Sequence, residues 1–469
     1  MKIFIDENKF EKYYIKKSGG VRHNQNILKI FPYNTKYQSS LSEEIYKFDA
    51  CIGEFCRLVY NKKNDKKKLN MCDIDNLIRD VEATAIDKIT LKSIIKETLL
   101  NEDGSLYTFH PKLLNYINIS AKSSEDLAKF LYDVLIDDNM KNDIKNKMIK
   151  CFEYIPNNIL ENMLIKNLPE LENIEEKERD YKVLASNVSK VFNEDLYFIM
   201  EDPMMFIDNI ENLLKYYYFF YVSQTAIKLS KFFDMDKKTT EELYFNLDWE
   251  SVSRSRTSYM FGWKMLESKL NALLIHSILM NILNLNDEET EIDYSDINEL
   301  LKSCSEIEKR ELYLNINNVK NKYVLSIKDI DWDEFDNKSY KYDDFCKREI
   351  VDFFKRIEYQ FIKSKGNREN ANSRYCRWFE EYCKINFLKM RGPLGYTLNL
   401  TKEQLLFITK ICIKDKKRIK LKDLFEEYKK RGICFDRDSQ NKIIELFEKL
   451  NIIEKKSDSG DAQYVKSIL

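Results

Sequence analysis

Apolar positions along this chain recur mostly at helical spacing. Between 41 and 60, Ile45, Phe48, Ile52, Phe55 and Val59 share one face, which predicts an amphipathic helix. Similar stripes predict helices over 74–85, 90–100 and 123–136, the last opened by Ser123 and Asp126 at capping-box spacing. Residues 181–233 read as helix interrupted at Pro203. Inside them, Tyr216-Tyr217-Tyr218-Phe219-Phe220-Tyr221 is apolar nearly all round, the mark of a central core helix. Residues 246–264 open a further long helix through Tyr259, Trp263, Leu266, Leu270, Leu273 and His276, with His276 read as a satisfied core histidine. Helix returns from about Asp343, and a loop over 366–373 precedes Arg374-Tyr375-Cys376-Arg377-Trp378. Period two is rarer. Residues 1–4 and 27–31 read as short strands. Leu312, Leu314 and Ile316, then Tyr323, Leu325 and Ile327, alternate around Asn317-Asn318, which predicts a hairpin.

The last seventy or so residues follow a different plan. Thr401 and Gln404 form a capping pair ahead of a helix carrying Leu405, Leu406, Ile408, Thr409 and Cys412. A basic run, 414–420, separates it from a second helix that ends in Lys429-Lys430-Arg431 with Gly432 as its stop. Asp438 or Ser439 caps a third helix with Ile443, Ile444, Phe447 and Leu450 on its apolar face. Two strands follow, from Ile452-Ile453 and over 462–465, joined by the polar tip 455–461. Three helices and a two-stranded ribbon is the winged-helix order, whose last helix enters the major groove with its N-terminal residues at base edges. Ser439, Gln440, Asn441 and Lys442 are the DNA-contact candidates at the start of that helix, Arg437 one at the end of the connection before it, and Lys455 and Lys456 those on the wing. Arg374, Arg377 and Arg391 join them from the basic stretch just upstream. Glu445 and Glu448 favour the competing reading, a winged helix that binds protein.

Composition sharpens this picture. The 469 residues include only 10 Gly and 6 Pro, where average usage gives roughly 33 and 23, so turns are few and helices long. Residues 355–469 carry 27 Lys/Arg against 16 Asp/Glu, a net +11, and residues 1–354 carry 50 against 62, a net −12. A basic end on an acidic body suits nucleic acid at one end and protein partners at the other. The ten cysteines form no C-x-x-C pair, and His23, His110 and His276 lie far apart. Buried reduced thiols in a cytoplasmic protein are therefore expected rather than a zinc site. The apolar run 216–227, bounded by Lys215 and Lys228, is too short to span a membrane.

No P-loop, zinc-protease helix, nucleophile elbow or dinucleotide-binding glycine loop occurs, so no catalytic residue, metal or cofactor is expected. Glu454-Lys455-Lys456 with Asp438 upstream matches the tail of a metal-dependent nuclease pattern, but such matches arise by chance in a chain one-third charged. The expected fold is mainly α: a multi-helix body with minor β elements and a C-terminal winged-helix domain. The expected divisions are 1–120, helical with short strands; 121–286, helical; 287–391, linker, hairpin and basic helical region; and 392–469, the winged helix. Seven acids between 287 and 299 mark one boundary, and Gly392-Pro393-Leu394-Gly395 is the expected hinge at another. A free-standing winged-helix transcription regulator and an unrecognised nuclease are the alternatives.

Four segments carry a family resemblance: 30–36 (IFPYNTK), the stretch from Asp248-Trp249-Glu250 to Trp263, 391–400 (RGPLGYTLNL) and 457–465 (SDSGDAQYV). Together they resemble the DptG (DndG) family of bacterial DNA phosphorothioation-dependent restriction systems. The resemblance spans the whole length, and its motifs are not catalytic signatures. It implies a non-catalytic subunit of a cytoplasmic defence complex, working with DptF-like and ATPase-like DptH-like subunits against double-stranded DNA that lacks the sulfur modification. It assigns no catalytic residue.

Overall fold

The computed structural model describes residues 4–17, 19–23, 27–35, 48–64, 78, 81–100, 106–119, 121–175, 178–286, 291–336, 341–364, 367–455 and 463–468. These are mainly helical, 61% helix against 8% strand, in line with the expected class. The first half holds helices α1 (Glu7–Tyr14), α2 (Asp49–Tyr60), α3 (Ala85–Leu99), α4 (Lys122–Leu135), α5 (Lys141–Phe152), α6 (Ile159–Lys166), α7 (Ser186–Ile199) and α8 (Pro203–Leu229). A small antiparallel pair, β1 (Lys62–Lys63) and β2 (Glu172–Asn173), lies among them. Strand β3 (Asn246–Leu247) precedes α9 (Thr257–Met260), α10 (Trp263–Leu270), α11 (Leu273–Leu283), α12 (Tyr294–Ser303), α13 (Glu306–Ser326), α14 (Phe345–Lys363), α15 (Asn367–Tyr375) and α16 (Arg377–Asn386). Strands β4 (Leu388–Met390) and β5 (Tyr396–Leu400) form a hairpin, and β5 also pairs in parallel with β3. The chain closes with α17 (Lys402–Ile413), β6 (Arg418–Lys420), α18 (Leu421–Lys430), α19 (Arg437–Lys449), β7 (Ile453–Lys455) and β8 (Gln463–Lys466).

The body is organised on α8. Asp202 caps it through the Met205 N–H and Pro203 takes its first position, where a missing N–H costs nothing. At 27 residues it is about 40 Å long. From Tyr216 to Leu229 every residue is buried, as the all-round apolar run predicts. Burying four tyrosines there requires partners for four hydroxyls. Tyr217 donates to Asp195 at 2.6 Å, Tyr218 shares a hydrogen bond with Tyr33 at 2.9 Å, Tyr221 accepts from the Leu184 N–H at 3.0 Å, and Tyr216 donates to the Arg431 carbonyl. One apolar core surrounds α8 and runs in sequence from Ile5 to Val465. A smaller core, built on Ile95, Leu113, Tyr116 and Leu164, sits beside it. The nine described cysteines are all free, and all but Cys304 are buried.

Several local expectations give way. The hairpin expected across 312–327 is the helix α13: Ser305 and Glu308 form a capping box, and Leu312, Ile316, Val319 and Tyr323 make its buried stripe. The alternation there was a by-product of Leu314 and Leu325, which are exposed. The single long helix expected beyond Asn246 is three pieces. Gly262 is the break between α9 and α10: a Cβ there would sit 2.4 Å from the Ser258 carbonyl oxygen. Residues 27–31 form no strand; Lys29 makes one bridge to Tyr181, and the Asn281 side chain accepts from the N–H groups of Ile27 and Leu28. Residues 1–3, and half of the helix expected over 74–85, lie outside the described residues, and 81–84 are not helical. Helix α4 starts without a side-chain cap rather than with Ser123. The loop expected over 366–373 is mostly α15.

Two histidines packed among aromatic side chains set an acid limit on this core. His23 lies 2.8 Å from the Tyr323 hydroxyl, and His276 lies 3.0 Å from that of Tyr294. Burial pushes both down to about 3, from an ordinary value near 6.5. Between those limits the unfolded chain takes up protons that the folded chain refuses, so stability is full above pH ~6.5 and lost as pH falls toward 3. Denaturant midpoints measured from pH 7.5 to 4 will decline, and the His23→Gln/His276→Gln variant will show a shallower decline. Identical slopes would refute the assignment.

Candidate nucleic-acid interface

The C-terminal segment forms by the signals its sequence carries. Thr401 and Gln404 make both bonds of a capping box at the start of α17. Helix α18 ends as expected: the Ile433 N–H bonds the Tyr428 carbonyl and the Gly432 N–H bonds that of Lys429, a Schellman close. Gly432 has φ +75°, and a Cβ there would strike the Phe220 ring at 2.3 Å, so both conformation and space demand glycine. Helix α19 is capped by Asp436, not by Asp438 or Ser439, and Ser439 supplies the N–H that Asp436 accepts. The sheet has three antiparallel strands in the order β6-β8-β7, one more than the expected ribbon. The added strand, β6, comes from the basic run between the first two helices.

This segment is not hinged to the body. Gly392–Leu394 is a tight turn closing the β4–β5 hairpin, and three attachments lie beyond it. First, Arg431 and Asp195 are both buried and paired, at 2.6 and 2.8 Å. The other Arg431 donors reach the carbonyl and carboxylate of Glu427 and the Ile411 carbonyl, so all five guanidinium N–H groups are used. Second, the Phe245 N–H bonds the Cys434 carbonyl and the Cys434 N–H bonds the Leu243 carbonyl, both at 2.9 Å. Third, a polar latch grips the start of α19. Arg256 pairs with Asp436 through two nitrogens, lies 3.1 Å from the Glu250 carboxylate and donates to the Ser439 hydroxyl at 2.7 Å. Ser439 in turn donates to Glu250 at 2.8 Å. Burial alone would push the Asp436 carboxyl up, but hydrogen bonds from Arg256, Ser439 and Ser258 hold it well below the usual carboxylate range.

The latch absorbs several of the expected DNA contacts. Ser439 is fully buried, so its hydroxyl is withdrawn from any base edge. Gln440 donates its amide to the Phe435 carbonyl, and Lys442 pairs with Glu445. Arg391 lies on the body side, donating to the carbonyls of Leu247 and Glu250 and holding the loop that carries the latch. Two segments of the family resemblance, 248–263 and 391–400, therefore meet at this junction. Arg437 and Asn441 are exposed. Arg374 and Arg377 are on α15 and α16, where Tyr375 is core rather than a stacking platform and only Arg377 of the two arginines is exposed. Lys455 ends β7, while its side chain, Lys456 and the wing tip lie outside the described residues.

Sequence reading missed Asp195, Glu250 and Arg256, whose partners stand 180 or more positions away. It also passed over the lysines of the basic run and Lys422 just beyond it. Lys416, Lys417, Lys420 and Lys422 are exposed and make no ion pair among the described residues. Lys414 differs, reaching back to Asp195 at 3.3 Å. Glu454, of the nuclease-like pattern, is held by Arg418 and Lys466, and Asp438 lies 3.7 Å from Arg256. No protein-family model matches the chain, and no curated protein matches it. Among the described residues no helix is long and apolar enough to cross a membrane.

Breaking either anchor will be costly in a distinct way. Arg431→Met strands a buried carboxylate at Asp195, and removing one partner of such a pair costs about 3–5 kcal/mol; Asp195→Leu/Arg431→Met will recover part of that in chemical denaturation. A single variant as stable as wild type would show the pair to be dispensable. Arg256→Ala will instead loosen α19 locally, read as faster hydrogen exchange at amides 436–442 without a comparable fall in global stability. Unchanged exchange there would mean the latch holds nothing.

Proposed function

We propose that this chain is a non-catalytic, DNA-contacting and scaffolding subunit of a bacterial phosphorothioation-dependent restriction complex, acting on DNA that lacks the modification. In this reading the C-terminal segment is a winged helix and the protein works in the cytoplasm. The acidic body holds the DptF-like and DptH-like subunits. The carrying observation is the helix–strand–helix–helix–strand–strand order of α17, β6, α18, α19, β7 and β8, with a row of exposed lysines on it that make no ion pair among the described residues. The charge division supports the same assignment of roles: a net −12 over 1–354 is repelled by phosphate and suits protein contacts. The family resemblance supplies the biological setting.

A free-standing regulator fits less well. Such proteins read bases with the first residues of the last helix, and here Ser439 and Gln440 are engaged internally. A nuclease built on Glu454 and Asp438 fits less well too, since both carboxylates face cationic side chains of this chain.

The full-length chain will bind duplex DNA with an affinity that falls steeply as salt rises, because each lysine–phosphate contact releases counterions. Fluorescence anisotropy across a salt series measures this, and a lack of binding at low salt would remove the DNA reading. Incubated alone with plasmid, Mg²⁺ or Mn²⁺ and ATP, the protein will neither cut nor hydrolyse. Cleavage that vanishes on a point mutation in this chain would overturn the non-catalytic assignment.

A further inference from the structure

We infer that duplex DNA lies along the α17–β6–α18 edge of the C-terminal segment, held through its phosphates, and not against the start of α19. The inference rests on the DNA-contacting reading above. Strand β6 is an edge strand with Ile419 turned into the core and Arg418 and Lys420 turned out. Its register sets Arg418 opposite Lys466 and Lys420 opposite Tyr464. The Arg418 guanidinium lies over the Tyr464 ring, 4.9 Å from its centre. Lys416 and Lys417 precede the strand and Lys422 follows it on the first turn of α18. Arg418 and Lys466 share the one carboxylate of Glu454, and Asp415 and Asp423 are the other acids of this edge. Cations outnumber carboxylates there by two to one.

The outward face of α19 is balanced. Arg437, Lys442 and Lys449 alternate with Asp438, Glu445 and Glu448. Lys442 must leave Glu445 before it meets a phosphate, whereas the four lysines of the edge, which make no ion pair among the described residues, give up only counterions. A protein partner fits the edge poorly, because interface cores are built on buried aromatic anchors and are depleted in lysine. Residues 414–422 expose no large apolar side chain. Contact through phosphates alone positions a duplex without reading its sequence, which suits a subunit that must engage many DNA sites.

The test uses the full-length chain and two 30-bp duplexes of unrelated sequence. Four phosphate contacts imply a log–log salt slope of about −3.6, or roughly a hundredfold loss of affinity between 50 and 200 mM salt. The Lys416→Glu/Lys417→Glu/Lys420→Glu/Lys422→Glu variant, matched to wild type in thermal unfolding, should lose at least that hundredfold and flatten the slope. Arg437→Ala/Asn441→Ala should stay within twofold of wild type on both duplexes. The reverse pattern overturns the inference and leaves the DNA-contacting reading standing. Absence of wild-type binding at low salt sinks that reading and the inference with it. A ridge variant that binds DNA normally but no longer captures co-expressed complex subunits would make the edge a protein interface instead.

Discussion

The pairing of Asp195 with Arg431 is the contact on which the arrangement of this protein turns. Both groups are out of water, and neither is tolerable there alone. Arg431 meets the cost by spending every donor it has, on Asp195, Glu427 and Ile411, while Asp195 also takes the Tyr217 hydroxyl. The Arg431 carbonyl accepts from Tyr216, one residue along the same helix. Gly432 then brings the chain against Phe220. The central helix α8, its neighbour α7 and the end of α18 are thereby fixed to one another at a single point. A charged pair at such a point adds specificity of register, since a shift by one residue would leave a buried charge unmatched.

That anchor changes what the C-terminal segment can do. An autonomous winged helix presents the start of its last helix to a groove. Here the start of α19 is held by Arg256 and Glu250, and Ser439 is fully buried. The segment is one lobe of a larger body, continuous with its core. On this segment the β6 edge turns Lys416, Lys417, Lys420 and Lys422 to solvent, and they make no ion pair among the described residues. Under the function proposed above, this edge would hold DNA while other polypeptides supply discrimination and chemistry.

Much of the fold was legible because its signals are local. The capping pair Thr401/Gln404, the stop at Gly432 and the all-apolar turns of α8 each act within a few residues, and each appears where predicted. Errors arose where a short pattern fits two periods. Leu312, Ile316, Val319 and Tyr323 are a helical stripe, yet every second residue over 312–316 and 323–327 is apolar as well. Burial decided it, and burial depends on what packs against the segment. The strand β6 was missed for a related reason: three residues with one apolar side chain make a strand only because β8 lies beside them to accept their bonds.

The sequence by itself determined that this is a helix-dominated chain with an acidic body and a basic end, a buried aromatic helix and a C-terminal helix–helix–helix–ribbon plan. Those properties follow from composition and from interactions between near neighbours. Tertiary structure alone decided which polar residues face solvent. Ser439 and Arg391 looked like DNA contacts and are internal ties, whereas Lys416, Lys417 and Lys420 looked like a linker and, with Lys422, form an open basic edge. A side chain's availability is set by partners hundreds of positions away, Asp195 for Arg431 and Glu250 for Ser439, and pairing over that distance leaves no mark in the local order of residues.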